Sequence, residues 1–160
     1  MIFDCPGQAE LFTHDLSLKR ILNRLASLDV QFVCINLIDA NYCTDTARFI
    51  SALMLSLNIM ITLELPHLNV LSKMDLLESY DRLDFPLSYY MTLPDLTRLM
   101  DQLSETRHRN SLFLDDKFEK FHRAICDMIE DYNLVSFHTL AIEDAESLTK
   151  LSAAIDKANG

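Results

Sequence analysis

Glycine is the scarcest informative residue. There are two in 160 residues, Gly7 and the terminal Gly160. A phosphate loop of the form G-x-x-x-x-G-K-[ST] needs two glycines five apart, because the backbone must curl closely around phosphate oxygens. No such pair exists, and a dinucleotide-binding G-x-G-x-x-G is excluded on the same ground. The chain carries no glycine-rich phosphate cradle of its own. Cysteine is also sparse: Cys5, Cys34, Cys43 and Cys126 show no C-x-x-C spacing, and no histidine stands where a zinc pattern would need it. Reduced thiols in an intracellular protein are the expectation. No charged-then-apolar leader opens the chain. The most apolar stretch, Phe49 to Leu65, is broken by Ser51, Ser56, Asn58, Thr62 and Glu64, which fits a packed helix better than a membrane span.

Positive charge is in deficit. Lys plus Arg is 14 against 24 for Asp plus Glu, a net charge of −10. Such a chain is a poor direct ligand for nucleic acid or an anionic membrane, so neither is expected as a partner. Apolar residues make up 49%, enough for a globular core in one domain.

Strand-like and helix-like segments alternate. Met1–Asp4, Val30–Ile38, His67–Leu71 and Leu134–Leu140 are short apolar runs that read as strands, and Val30–Ile38 is apolar enough to predict burial on both faces. Gln8–Leu28, Asp45–Ile61, Asp75–Ser79, Asp95–Leu103, Leu112–Tyr132 and Glu143–Lys157 read as helices. Four strands separated by helices predict an α/β fold, a parallel sheet with flanking helices. The whole of 1–160 is expected to be a single domain, with 85–132 a helical insertion on the sheet. Ligands of open parallel sheets bind beyond the carboxyl ends of the strands. That rule selects Asp4–Glu10, Asp39–Asp45, Ser72–Asp75 and Leu140–Asp144, and polar residues gather at all four.

In Asp4-Cys5-Pro6-Gly7-Gln8-Ala9-Glu10, a strand-end acid can hold a magnesium ion. The glycine lets a backbone N–H approach a terminal phosphate, and a polar side chain after it can orient water. The same residues also make an ordinary strand-to-helix turn. In Ser72-Lys73-Met74-Asp75, the carboxylate can accept two parallel hydrogen bonds from guanine N1–H and N2–H₂, which adenine cannot supply. Asp75 with Glu78 equally fits a helix cap. In Asp39-Ala40-Asn41-Tyr42-Cys43-Thr44-Asp45, Thr44 or Asp45 is expected to cap the next helix, and Asp39 stays unassigned. In Leu140-Ala141-Ile142-Glu143-Asp144, a backbone N–H could reach a purine oxygen, or the segment is simply a capped loop.

Taken in order, Asp4-Cys-Pro-Gly-Gln8, Ser72-Lys-Met-Asp75 and Ser136-Phe-His-Thr-Leu-Ala-Ile-Glu-Asp144 resemble the GPN-loop GTPases. Asp39-Ala-Asn-Tyr-Cys-Thr-Asp45, Glu64-Leu-Pro-His67 and Asp156-Lys-Ala-Asn-Gly160 look like the same family. The resemblance implies a P-loop NTPase G-domain, GTP with Mg²⁺, and homodimers or heterodimers with GPN-loop paralogues. It also implies contact with RNA polymerase II subunits or assembly factors, and a cytoplasmic protein that shuttles to the nucleus. By residue, it implies Asp4 as the magnesium-associated acid and Gly7 as the γ-phosphate contact. Gln8 and Glu10 would be the catalytic water-positioning groups, Lys73 and Asp75 the guanine pair, and Leu140 and Ala141 the loop over the base.

The family's phosphate loop, Gly-Pro-Asn loop and first strand precede the Asp-x-Pro-Gly-Gln motif, and none is present here. The expectation is therefore a partial G-domain, a truncated product. A parallel sheet without its central strand leaves backbone groups unpaired at about 1–3 kcal/mol each. The chain alone is expected to hydrolyse GTP negligibly. The alternative is a non-catalytic fragment that binds family paralogues or polymerase-assembly factors.

Overall fold

A computed structural model describes residues 2–8, 16–80, 83, 85–102, 116–132 and 135–160. Three parallel strands, β1 (Cys34–Asp39), β2 (His67–Ser72) and β3 (Phe137–Thr139), form one sheet in the order β1-β2-β3. Cys34 to Asp39 lie opposite His67 to Ser72 in register, and Asn69 to Leu71 lie opposite Phe137 to Thr139. The carboxyl ends of the three strands therefore finish level. Parallel neighbours need crossovers, and helices supply them.

Around the sheet run α1 (Ser17–Ala26), α2 (Thr46–Leu63), α3 (Leu87–Thr92), helical turns over 96–102 (α4), α5 (Asp116–Tyr132) and α6 (Ala145–Asn159). Short 3₁₀ segments follow β1 at Ala40–Thr44 and β2 at Met74–Ser79. Helix α2 begins where the Asp45 carboxylate accepts the Arg48 N–H at 2.8 Å, so Asp45 rather than Thr44 is the cap. It ends with Glu64 in the left-handed conformation ahead of Pro66, which cannot continue a helix. By length and composition α2 could cross a membrane, yet Phe49, Ile50, Leu53, Leu57 and Leu63 are buried in the fold.

Residues alternate across β2. Leu71 joins a core with Phe49, Leu53, Tyr90, Leu96, Leu99, Met100, Ile129 and Phe137, whereas Val70 packs on the opposite face with Leu140 and Leu151. Residues from 85–102 and 116–132 thus share the core of the sheet and α2. The Glu130 carboxylate of α5 accepts the N–H of Leu96 and, at 3.2 Å, that of Thr97, capping α4. Phe49, fully buried, meets Tyr90 edge-on with ring centres 4.9 Å apart. Such a side chain contributes about 3–5 kcal/mol against truncation.

Two expectations need correction. Residues 2–4 form no strand; Ile2, Phe3 and Asp4 are exposed, with no neighbouring strand to pair their backbone. The sheet therefore has three strands among the described residues rather than four. The run ending at Ile38 is not buried on both faces: Ile35 is 41% and Leu37 60% exposed. Both lie on the Val70 side of the sheet, where α6 covers β2 and β3 but leaves β1 bare. Helix α1 is equally unburied; none of its residues is buried, although Leu18, Ile21, Leu22 and Leu25 make a stripe. A 2.7 Å bond from Lys19 Nζ to Glu64 Oε1 ties it to the end of α2.

Candidate functional site

The level carboxyl ends of the strands bring together Asp39, Lys73, Asp75, Leu140 and Ala141, which the sequence separates by up to 102 positions. Backbone bonds do the joining. The Leu140 N–H donates to Leu71 O at 2.8 Å, and the Met74 N–H donates to Leu140 O at 3.1 Å. The loop after β2 is thereby stitched to the loop after β3. Between β1 and β2, Ser72 Oγ donates to Ile38 O at 3.1 Å.

Lys73 adopts φ 59°, ψ 38°, a left-handed conformation that costs a lysine about 1–2 kcal/mol. The kink turns the chain into the 3₁₀ segment that carries the exposed Asp75 in its first turn. Lys73 Nζ donates to Asp39 Oδ2 at 2.7 Å. The other carboxylate oxygen accepts the Asn41 N–H at 2.9 Å and faces the Tyr80 hydroxyl at 3.4 Å. Burial alone would raise the Asp39 carboxyl. The Lys73 ammonium, the Asn41 N–H and the Tyr80 hydroxyl outweigh it and hold Asp39 below the usual carboxylate range. The hydrogen bond to Asp39 and its charge raise Lys73 in turn. As an open ion pair it is worth about 0–1 kcal/mol.

Ala141 is fixed from the other side. Its N–H donates to Ser147 Oγ at 3.0 Å, and Ser147 Oγ donates to Thr139 O at 3.2 Å. Leu140 has both backbone groups engaged, as given above. A purine oxygen approaching Ala141 would share or displace the Ser147 bond. Beyond it, Ile142 stands in a turn with its side chain exposed. Asp144 caps α6 by accepting the Glu146 N–H at 3.0 Å.

The amino-terminal motif lies elsewhere. Asp4, Gly7 and Gln8 are exposed in an irregular segment, and Glu10 lies outside the described residues. Phe3 meets Phe32 with ring centres 6.0 Å apart. Burial, with the neighbouring Cys5 thiol adding to it, pushes the Cys34 thiol up to about 11. Both contacts are at the entry to β1. Five steps at about 3.3 Å per residue separate that entry from Asp39 by roughly 17 Å. The structure thus assembles the Lys73, Asp75, Leu140 and Ala141 group, while Asp4 stands between Phe3 and Cys5 near the entry of β1, and Gly7 and Gln8 follow on the exposed segment.

Magnesium is held by one or two carboxylates together with substrate phosphates and water. Asp4 offers one accessible carboxylate. Among the described residues no three His, Cys, Asp or Glu side chains gather to hold a metal by themselves. That donor chemistry fits an ion whose remaining ligands are water and nucleotide phosphates. Cys43 and Cys126 are buried, which pushes them up to about 12 and about 11, so neither is a ready nucleophile. A shallow depression near the amino ends of the strands, lined by residues such as Val30, Phe32, Leu65 and Pro66, contains no charged side chain to meet a phosphate.

Two residues of the edge were missed in the sequence. Tyr80 and Ser147 carry no motif, and strand register alone brings them in. Asp39 had a signal, an acid at a strand end, but nothing in the sequence names its partner.

A family model described as a conserved hypothetical ATP binding protein matches residues 1–160. GPN-loop GTPase 2 of Xenopus tropicalis is 45% identical over 99% of this chain and 50% of its own length. The Saccharomyces cerevisiae protein of the same name is 44% identical over 100% of this chain and 46% of its own. GPN-loop GTPase QQT1 of Arabidopsis thaliana is 43% identical over 100% of this chain and 52% of its own. The chain spans about half the length of these relatives.

Proposed function

The chain belongs to the GPN-loop GTPase family, a nucleotide-binding family, and from that premise we propose that it forms the guanine-reading part of a GTP-binding site. One observation carries the reading: the Met74 N–H to Leu140 O bond places the Ser72–Asp75 and Leu140–Asp144 motifs side by side at one sheet edge. Asp75 is the group that selects guanine, by accepting from N1–H and N2–H₂. An adenine would leave that carboxylate unpaired and present its own N1 lone pair to it. The Lys73 stem lies along the base, and the loop at Leu140 and Ala141 closes over it.

Gly7, with no side chain, meets the γ-phosphate. Asp4 would hold a Mg²⁺ ion arriving with the nucleotide, and the ion would supply charge neutralisation at the phosphates. Gln8 and Glu10 orient the attacking water. The phosphate cradle comes from polypeptide outside residues 1–160, and without it this stretch alone hydrolyses GTP negligibly. Family membership also supports pairing with GPN-loop paralogues, service in RNA polymerase II assembly, and residence in the cytoplasm with passage to the nucleus.

Equilibrium binding of labelled GTP and ATP tests the reading. A GTP preference of about a hundredfold that disappears in Asp75→Asn is expected. Equal affinity for the two, or preference for ATP, overturns it and favours the plain sense of the family description.

A second reading is a non-catalytic interaction segment that binds family paralogues or polymerase-assembly factors. Bare Ile35 and Leu37 on β1, and the unburied stripe of α1, favour it. Pull-down with full-length paralogues separates the two, since capture that persists in Asp75→Asn without any GTP binding belongs to this second reading.

A further inference from the structure

Asp39 has no role in the nucleotide reading, yet it is the most heavily bonded side chain of the edge. Its two oxygens meet Lys73 Nζ at 2.7 Å, the Asn41 N–H at 2.9 Å and the Tyr80 hydroxyl at 3.4 Å. These partners come from three separate segments: β2's exit, the turn after β1, and the end of the second 3₁₀ segment. Lys73 itself is in a left-handed conformation with no glycine to ease it. Backbone strain held by surrounding contacts is a mark of a placed group rather than a stabilising one.

We infer that Asp39 is a positioning residue for Lys73: its carboxylate, braced by Asn41 and Tyr80, anchors the lysine ammonium so that the aliphatic stem lies in a fixed place beside Asp75, where a purine ring would rest. This rests on the nucleotide reading above and deepens it. A lysine so anchored contributes its methylenes to the base, not its charge to the phosphates. The stem touches the ring system common to all purines, whereas Asp75 reads the substituents. Asp39 therefore sets affinity for purine nucleotides in general, and Asp75 sets the choice among them.

The test measures GTP and ITP affinity of the full chain as wild type, Asp39→Asn, Asp39→Glu and Asp75→Asn. ITP lacks the exocyclic amine and so loses one of the two Asp75 bonds. Asp39→Asn is expected to weaken GTP and ITP by one common factor of about two to five, leaving their ratio unchanged. Asp39→Glu is expected to recover most of the loss, because it restores the charge. Asp75→Asn is expected to collapse the ratio instead. Unchanged affinities in Asp39→Asn overturn the inference, and so does a changed ratio. Failure of the wild type to bind either nucleotide is a different result and overturns the nucleotide reading beneath it. Should Asp39→Asn not fold, NMR titration of ¹³C-labelled lysines in the wild type decides. Lys73 titrating above the ordinary lysine range supports the anchor, and an ordinary titration refutes it.

Discussion

At the carboxyl end of the sheet, Asp39, Lys73, Leu140 and Ala141 are joined by backbone and side-chain hydrogen bonds that cross from one loop to the next. Residues 2–8 carry chemistry of equal interest on an exposed, irregular segment, whose Phe3 rests against Phe32 just before β1. The difference lies in what each motif hangs from. The edge motifs sit directly after strands that have neighbours, so register fixes where the chain exits. Asp4 follows an apolar run that has no strand beside it, and an unpaired strand is not a strand. A motif is only as well placed as the strand that delivers it.

Four experiments bear on that contrast. The largest effect falls on the core that holds the strands in register. Phe49→Ala should cost about 3–5 kcal/mol, read as a lowered denaturation midpoint, and should loosen the edge while leaving residues 2–8 as exposed as before. A cost under about 1 kcal/mol would mean that register does not depend on this core.

Next comes Asp75→Asn. Its side chain is exposed, so the melting temperature should stay put while GTP affinity falls about a hundredfold, a factor worth about 2.7 kcal/mol. A drop in melting temperature with no change in GTP affinity would reduce Asp75 to the helix cap it also resembles.

A smaller effect concerns the polar layer beneath β1 and β2. Asn36 Nδ2 donates to Ser56 Oγ at 2.9 Å and to Asn69 Oδ1 at 3.1 Å, and His67 Nε2 lies 3.1 Å from the same Asn69 oxygen. That contact makes His67 Nε2–H the donor and leaves the buried Nδ1 without a partner. Burial lowers the His67 pKa, with the Asn69 bond opposing. The folded state therefore binds its proton less readily than the unfolded chain. The contribution is whole above the ordinary imidazole value of about 6.5 and is lost as pH falls from there toward the depressed one. Urea midpoints measured from pH 8 to pH 5 should decline more steeply in wild type than in His67→Gln. Parallel curves would remove His67 from the pH response.

The smallest effect on the fold is expected from Gly7→Ala. A Cβ at Gly7 would meet nothing within 4 Å, and its φ is not in the left-handed region. Stability should change by less than about 0.5 kcal/mol. Affinity for GTP should nevertheless fall toward that for GDP, since the γ-phosphate loses its close approach. An unchanged ratio of GTP to GDP affinity would make Gly7 an ordinary turn residue.

Much of the ordered half was legible in the sequence. Apolar runs at His67–Leu71 and within Leu134–Leu140, and the helix from Asp45, mark the strand exits where Lys73, Asp75, Leu140 and Ala141 stand; the rule that ligands gather beyond strand ends pointed equally to Asp4–Glu10, which follows no strand among the described residues. Burial was less legible. The run through Ile35 and Leu37 is apolar whether or not something covers it, and only the reach of α6 shows that nothing among the described residues does. Asp39 to Lys73 could not be read, because pairing an acid with a lysine 34 positions away requires the register. Nor could the engagement of Ala141 by Ser147, which depends on where α6 starts. Met1–Asp4 was misread for the reason given above: composition describes a strand's side chains, not its neighbours.

On the proposed reading both segments serve one nucleotide, so residues 4–8 leave the neighbourhood of the β1 entry, where Phe3 rests against Phe32, to meet phosphates whose base rests at Asp75. Hydrogen–deuterium exchange on the full-length protein, with GTP, with GDP and with neither, tests this most directly. Protection of 73–76 and 140–142 by either nucleotide, with protection of 4–8 by GTP alone, is the predicted result. Bound GTP that protects the edge and leaves 4–8 exchanging as fast as before would contradict it.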